Sequence, residues 1–425
     1  MPSTFLFEIA TLLLSLNFVR LYGFAISDWF YMGALVLAFL ETRSVQRQNL
    51  ICWWQNRFLW PAGLILVGAS ISIINALNWK IALVQTFQQI FVITLFISLT
   101  WIMVRRGKAK AIIIAFVLSG LFTSMIAIVD YLTGSKFGPI LSGTPDVHFW
   151  GRYAGTLGHP NKFGCFLVLT TLVSVGYLLN IKKQRKTTII YRTVWCLLVS
   201  VQVFGIFLSN SMTAFLGLLL GVVVYIFRNI LFTFTKMKIS KRILQPIIVV
   251  FVVGMILMLF LSLSNPTFWN NATNGILQAW DRVTTNTAES RLVVFQLAGE
   301  SILQNPLVGV GYDQISTSGS GLVQSLLGFG VHNVFLQTWY IGGVFAFIGL
   351  VVIYLLVGGS ALNILRKKTS YPPLIRGLAI AVLSILLMDQ FQDAIYQHEK
   401  WLVIGLFVGH VWIRSKIILK RGAVN

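Results

Sequence analysis

Charge is what this sequence has least of. Aspartate and glutamate together number 12 in 425 residues, and all charged residues make up 11%. A soluble globular chain carries about a quarter, so an ordinary soluble domain is excluded. Cysteine is nearly missing as well. Cys52, Cys165 and Cys196 lie in or beside apolar runs at no metal-ligand spacing, which gives neither a disulfide framework nor a zinc site. The acids Asp313, Asp389 and Asp393 form no DxD or DxxD cluster of the kind that holds Mg²⁺. There is no Walker motif, dinucleotide loop or HExxH, so an ATP-driven pump and a zinc protease find no support. No basic segment precedes the first apolar run and no small-residue cleavage site follows it. That run is expected to stay as a span.

What the sequence does have is apolar length. Hydrophobic residues make up 56%, and runs of about 20 residues, enough to cross a ~30 Å hydrocarbon layer as helix, recur along it. Backbone polar groups in lipid must be bonded internally, so repeated runs mean a helical bundle. The sequence predicts an all-α polytopic membrane protein, a single integral membrane domain over 1–425 with about twelve transmembrane helices. They are expected near 4–24, 27–41, 58–77, 81–104, 109–130, 161–180, 193–209, 211–227, 244–263, 334–360, 373–389 and 400–414. External loops fall at 131–160 and, the one long loop, at 264–333.

The formal net charge of +21 is a matter of topology. On this span assignment 25 of the 33 lysines and arginines fall on one side, which should be cytoplasmic. Both termini are then inside. Anionic inner-leaflet lipid accounts for the basic excess, and no nucleic-acid partner is called for. The minority side includes Arg152, Arg282, Arg291 and Lys400.

Three external pieces stand out. The 131–160 loop ends Gly151-Arg152-Tyr153-Ala154-Gly155-Thr156-Leu157 and leads into His159-Pro160-Asn161 at the head of the sixth span. Ser209-Asn210-Ser211 is a tight break between two spans. In the long loop, 289–303 has the apolar spacing of a surface helix, with Arg291 in its first turn and Pro306 just beyond its end. Gly309 and Gly311 mark a turn, 313–321 is a flexible stretch, and His332-Asn333 sits at the mouth of the next span.

Each candidate has a chemical and a structural reading. Imidazole exchanges a proton near neutral pH, so His332 can take one from a sugar hydroxyl; it can equally be an interfacial histidine bonded to a loop carbonyl. Asn333 orients that ring or caps the following helix. Arg152, Arg282 and Arg291 offer guanidinium forks suited to a diphosphate. Each can instead anchor a headgroup or form a salt bridge, as Arg282 with Asp281. Asn161 reads as a substrate contact or as part of a turn. Glu8, an acid inside the first span, lies at its cytoplasmic end and reads as reaching back to that interface.

Four stretches in order resemble the O-antigen ligase and polymerase superfamily of bacterial surface-polysaccharide assembly. They are Gly151–Leu157 with Pro160-Asn161; Leu208-Ser209-Asn210-Ser211-Met212-Thr213-Ala214; Glu289-Ser290-Arg291 with Asn305-Pro306-Leu307-Val308-Gly309-Val310-Gly311; and His332-Asn333-Val334-Phe335-Leu336-Gln337 with Gly342-Gly343. Together they cover about 150–345. The resemblance implies a GT-C-like, inverting, metal-independent glycosyltransferase without a cofactor, in the bacterial cytoplasmic (inner) membrane. Its donor would be an undecaprenyl-diphosphate-linked glycan on the periplasmic face. It further implies that His332 assists deprotonation of the acceptor, that Arg152 and Arg291 bind the diphosphate, and that a flippase and a chain-length regulator are partners. Arg282 matches no firm pattern, and Asn210 stands where the family often has a basic residue. The motif forms favour a repeat-unit polymerase. An O-antigen ligase acting on lipid A core, and a transporter or flippase of the same lipid, are the alternatives.

Overall fold

Apolar runs with few internal breakers fold as helix. The computed structural model describes residues 2–16, 20–21, 24–43, 59–134, 137–142, 152–181, 187–233, 286–311, 331–367, 371–392 and 397–422. In chain order its helices are α1 (Pro2–Leu12), α2 (Ile26–Arg43), α3 (Leu59–Ser72), α4 (Trp79–Ile90) and α5 (Phe96–Arg105). There follow α6 (Ala109–Thr133), α7 (Phe137–Ser142), α8 (Pro160–Asn180), α9 (Thr187–Ser209) and α10 (Met212–Thr233). The last are α11 (Asn286–Gln304), α12 (Val334–Arg366), α13 (Pro373–Met388) and α14 (His398–Gly422). Among the described residues, four helical stretches are long and apolar enough to cross a membrane: Ala109–Thr133, Pro160–Asn180, Ile190–Ser209 and Val334–Arg366. Shorter apolar helices accompany them, and the chain is a multi-pass, all-α membrane protein.

The expected spans have helices at their places, with four differences. The span at 244–263 lies outside the described residues. The run at 4–24 is helical only through a 3₁₀ turn at Leu13–Ser15. There the Ser15 amide is bonded to Ser119 Oγ at 3.0 Å and Leu16 leaves the helical region. A two-residue antiparallel pairing of Arg20–Leu21 with Phe24–Ala25 follows. The 81–104 run is α4 and α5 joined by a π-helical turn at Phe91–Leu95. The 334–360 span is broken at Gly343, whose φ of 67° and ψ of −170° are not helical.

The chain divides into two compact units, each assembled from three separated stretches. The first comprises Met1–Ala34, Gly107–Trp280 and Ala361–Ile385. Its centre is α8, buried along almost its whole length and packed against α6, α9 and α10. Small residues let the backbones approach. A Cβ on Gly176 would stand 2.8 Å from the Cα of Gly377, and one on Gly164 would meet Ser209 Oγ at 2.6 Å. Inside this apolar packing Gln202 bonds to two helices with both ends of its amide. Its Nε2 donates to the Val117 carbonyl at 3.0 Å, and its Oε1 accepts from Thr171 and Ser174.

The second unit comprises Leu35–Arg106, Asp281–Ser360 and Leu386–Asn425. Here α14 packs on α5, with Gly405 against Thr100 and Gly409 against Val104. Gly68 of α3 lies so close to α12 that a Cβ would stand 2.6 Å from the Gly342 carbonyl oxygen. The surface helix expected at 289–303 is α11. It buries Val294, Ala298 and Ile302 with Ala69, Val331, Tyr340 and Ile341, a spacing of one helical face.

Candidate active site

In the first unit the expected site residues Arg152, Asn161 and Asn210 come from a loop, a helix start and a turn. Arg152 Nε donates to the Ser209 carbonyl at 3.1 Å, and its Nη2 to Asn161 Oδ1 at 2.5 Å. The chain on either side is tied down. The Tyr153 amide is bonded to the Leu208 carbonyl at 3.0 Å. Thr156 bonds Thr123 Oγ1 with its amide and the Ser15 carbonyl with its hydroxyl. Pro160 opens α8, and His159 caps it by accepting the Asn161 amide on Nδ1 at 3.1 Å. Burial pushes the Tyr153 phenol above its ordinary value and the Asp130 carboxylate adds to the shift, so Tyr153 stays neutral beside Arg152. Asp130 also receives the amides of Phe137 and Gly138, starting α7.

Asn210 takes φ 43° in the turn between α9 and α10. Ser211 Oγ then caps α10 by accepting the Ala214 amide at 3.4 Å. Among the described residues, Asn210 and His332 are the non-glycine positions with positive φ. Both were singled out from the sequence as site residues, and left-handed backbone in a non-glycine residue persists only where its surroundings hold it.

His332, at φ 49°, belongs to the second unit. It is half-buried between the buried Val331 and the Asn333 that opens α12. Of the two readings of Asn333, the structure shows the cap. Its Oδ1 accepts the Leu336 amide at 2.9 Å. Its Nδ2 points to the Gln390 carbonyl at 3.3 Å and to Gln390 Oε1 at 3.4 Å. His332 therefore immediately precedes the capped start of α12.

The Asn305–Gly311 motif and the Gly342-Gly343 pair explain each other. The break at Gly343 frees carbonyls of α12, and the motif's amides take them: Val310 to Tyr340 at 2.9 Å and Gly311 to Ile341 at 3.1 Å. In return the Pro306 carbonyl accepts the Val344 amide at 3.0 Å and the Trp339 indole at 3.1 Å. Asn75 Nδ2 donates to the Gly309 carbonyl at 2.9 Å. A Cβ on Gly309 would stand 2.6 Å from the Gly343 nitrogen, and one on Gly343 would collide with the Leu307 carbonyl. Arg291 lies on α11, one turn before Val294. Arg282, Asp393, the stretch 313–321 and parts of both external loops lie outside the described residues.

Sequence reasoning missed one feature. Asp389 and Lys400, which the span assignment puts at the facing external ends of its last two spans, are 0% and 1% exposed. Lys400 Nζ meets Asp389 Oδ2 at 2.8 Å, and the Tyr354 hydroxyl donates to the same oxygen. The available signal was two opposite charges at the facing ends of consecutive apolar runs. Such residues within a membrane protein pair with one another and mark functional positions.

Residues 195–351 match a family model described as O-antigen ligase. No curated protein matches the chain. The matched stretch contains the Ser209-Asn210-Ser211 turn, Arg291, the Asn305–Gly311 motif, His332-Asn333 and Gly342-Gly343. Over that stretch, somewhat more than a third of the chain, the resemblance to the O-antigen ligase and polymerase superfamily is supported.

Proposed function

We propose that this protein is a glycosyltransferase that polymerises undecaprenyl-diphosphate-linked repeat units at the outer face of the bacterial cytoplasmic membrane. The observation that carries the reading is His332. It is a half-buried imidazole in left-handed backbone at the capped start of α12, inside the stretch that matches the family. An acceptor hydroxyl attacks the anomeric carbon of the donor, the bond from that carbon to the diphosphate oxygen breaks, and the hydroxyl proton passes to His332. Undecaprenyl diphosphate leaves with its negative charge, and the configuration at carbon inverts. The donor is already activated, so alignment, proton removal and charge stabilisation suffice. Arg152 and Arg291, with Arg282, take the diphosphate oxygens, and no metal is required. Asn161, Asn210 and Asn333 position the substrates or the groups that bind them.

The description of the matched family favours a second reading, an O-antigen ligase that passes the glycan to lipid A core. The two part on a single assay. Purified protein is incubated with one defined undecaprenyl-diphosphate repeat unit and no other acceptor, and the lipid-linked products are sized. A ladder is the expected outcome. Transfer only after lipid A core is added would make the protein a ligase. Movement of the lipid across vesicles without either product would make it a transporter. His332→Ala is expected to abolish the ladder while the protein stays folded in the membrane. A folded variant with wild-type transfer would remove His332 from the chemistry.

A further inference from the structure

We infer that Asp389, Lys400 and Tyr354 are positioning residues, a buried charged cluster that holds the turn after α13 against the start of α12 and so fixes His332. The inference rests on the transferase reading for its effect on rate. The cluster joins three elements of the second unit. Asp389 follows the last residue of α13, Lys400 lies in the first turn of α14 and Tyr354 lies within α12. One oxygen, Asp389 Oδ2, receives both the Lys400 ammonium at 2.8 Å and the Tyr354 hydroxyl. The carboxylate is thereby held from two directions, in a place 0% exposed.

The backbone of that same residue is what reaches the site. The Asp389 carbonyl accepts the Val334 amide at 2.9 Å, and the next carbonyl, Gln390, accepts from Asn333 Nδ2 at 3.3 Å. The turn is itself closed by the amides of Gln390 and Phe391 on the Leu387 and Met388 carbonyls. Two consecutive carbonyls therefore grip the two residues that follow His332. A backbone at φ 49° needs this kind of support, because the conformation is kept only by what surrounds it.

Stability alone does not explain the cluster. A buried ion pair is commonly no more stabilising than apolar side chains of similar volume, so its presence asks for a role in specifying geometry. The bonds of this turn run to Asn333 and Val334, the residues that follow the ring. The cluster acts through the peptide that carries the ring, and a base displaced by an ångström loses much of its rate advantage.

The test uses the full-length protein in lipid nanodiscs. Asp389→Asn combined with Lys400→Met removes both charges, so no lone buried ion remains to unfold the protein. The double variant is expected to lower kcat roughly 100-fold and to leave the donor KM within about twofold. Tyr354→Phe removes one O–H from the cluster and is expected to lower kcat about tenfold. Amide hydrogen exchange supplies a readout independent of activity. Faster exchange should be confined to residues 333–337, with α5 and α14 exchanging as in the wild type. Wild-type kcat with unchanged exchange at 333–337 overturns the inference. So does a rise in exchange spread evenly over the unit, which would make the cluster merely structural. If His332→Ala itself transfers glycan normally, the role of His332 falls, and the exchange measurement still decides whether the cluster grips the start of α12.

Discussion

Asn333 engages two neighbours with one side chain, and the two can be separated. Its oxygen caps α12 and its nitrogen meets the Gln390 carbonyl. Asn333→Ala is expected to cost about 1 kcal/mol through the lost cap alone. Asn333→Asp keeps the acceptor for the Leu336 amide and loses the donor to Gln390. Thermal unfolding of the purified protein should show a lowered Tm for the alanine variant and most of the loss recovered by aspartate. Glycan transfer should be impaired in both. Equal Tm for both variants would remove the cap from the account. At this scale the sequence was legible where chemistry is local. An asparagine before an apolar run signals a helix start, and Pro160 before Asn161 does the same. It was not legible where a partner lies far along the chain. Nothing near Arg152 announces the Ser209 carbonyl, and a lysine at the head of an apolar run, such as Lys400, looks like an interfacial anchor until Asp389 and Tyr354 are placed beside it.

At the scale of elements, Gly343 decides the shape of α12. Its φ of 67° with ψ of −170° is a region open essentially to glycine. The carbonyl of Leu307 also occupies the space a side chain would need. Gly343→Ala is expected to cost on the order of 1–3 kcal/mol from backbone strain, with a further penalty as Leu307 is displaced, and to lower both Tm and transfer activity. Gly359→Ala is the control, since a Cβ there meets nothing within 4 Å; it should unfold at or above the wild-type temperature. Similar Tm for both variants would mean that the break at Gly343 is not held as described. The break was hidden in the sequence because Gly342-Gly343 sits in an unbroken apolar run, where glycine is tolerated in a helix. The tertiary bonds from Val310 and Gly311 tip the balance. By contrast α11 was legible, because its apolar spacing lies within the element and Pro306 just beyond its end. It runs at Asn286–Gln304 where 289–303 was expected.

At the scale of the whole molecule, apolar length makes the helical membrane class plain, and the basic residues predict its orientation. In a background without Cys52, Cys165 and Cys196, Gln184→Cys and Ser318→Cys report the two faces. A membrane-impermeant maleimide applied to intact spheroplasts should label position 318 and spare 184. The opposite pattern would invert the orientation and move the proposed chemistry to the cytoplasm. The division into two units left no mark in the sequence, because each gathers three stretches far apart in the chain and no linker separates them. One local arrangement bears on how such a chain can change over time. The Gly311 amide is bonded to the Ile341 carbonyl, and Val331 packs with Tyr340 and Ile341. Gly311 and Val331, the residues on either side of 312–330, are thus both held against one short piece of α12. Lengthening a connection whose ends are fixed costs little, about 0.6 kcal/mol for each doubling. An insertion between the anchors at Gly311 and Val331 is therefore expected to leave the helices on either side as they are, so that the chain can acquire new sequence here over time without rebuilding its bundle.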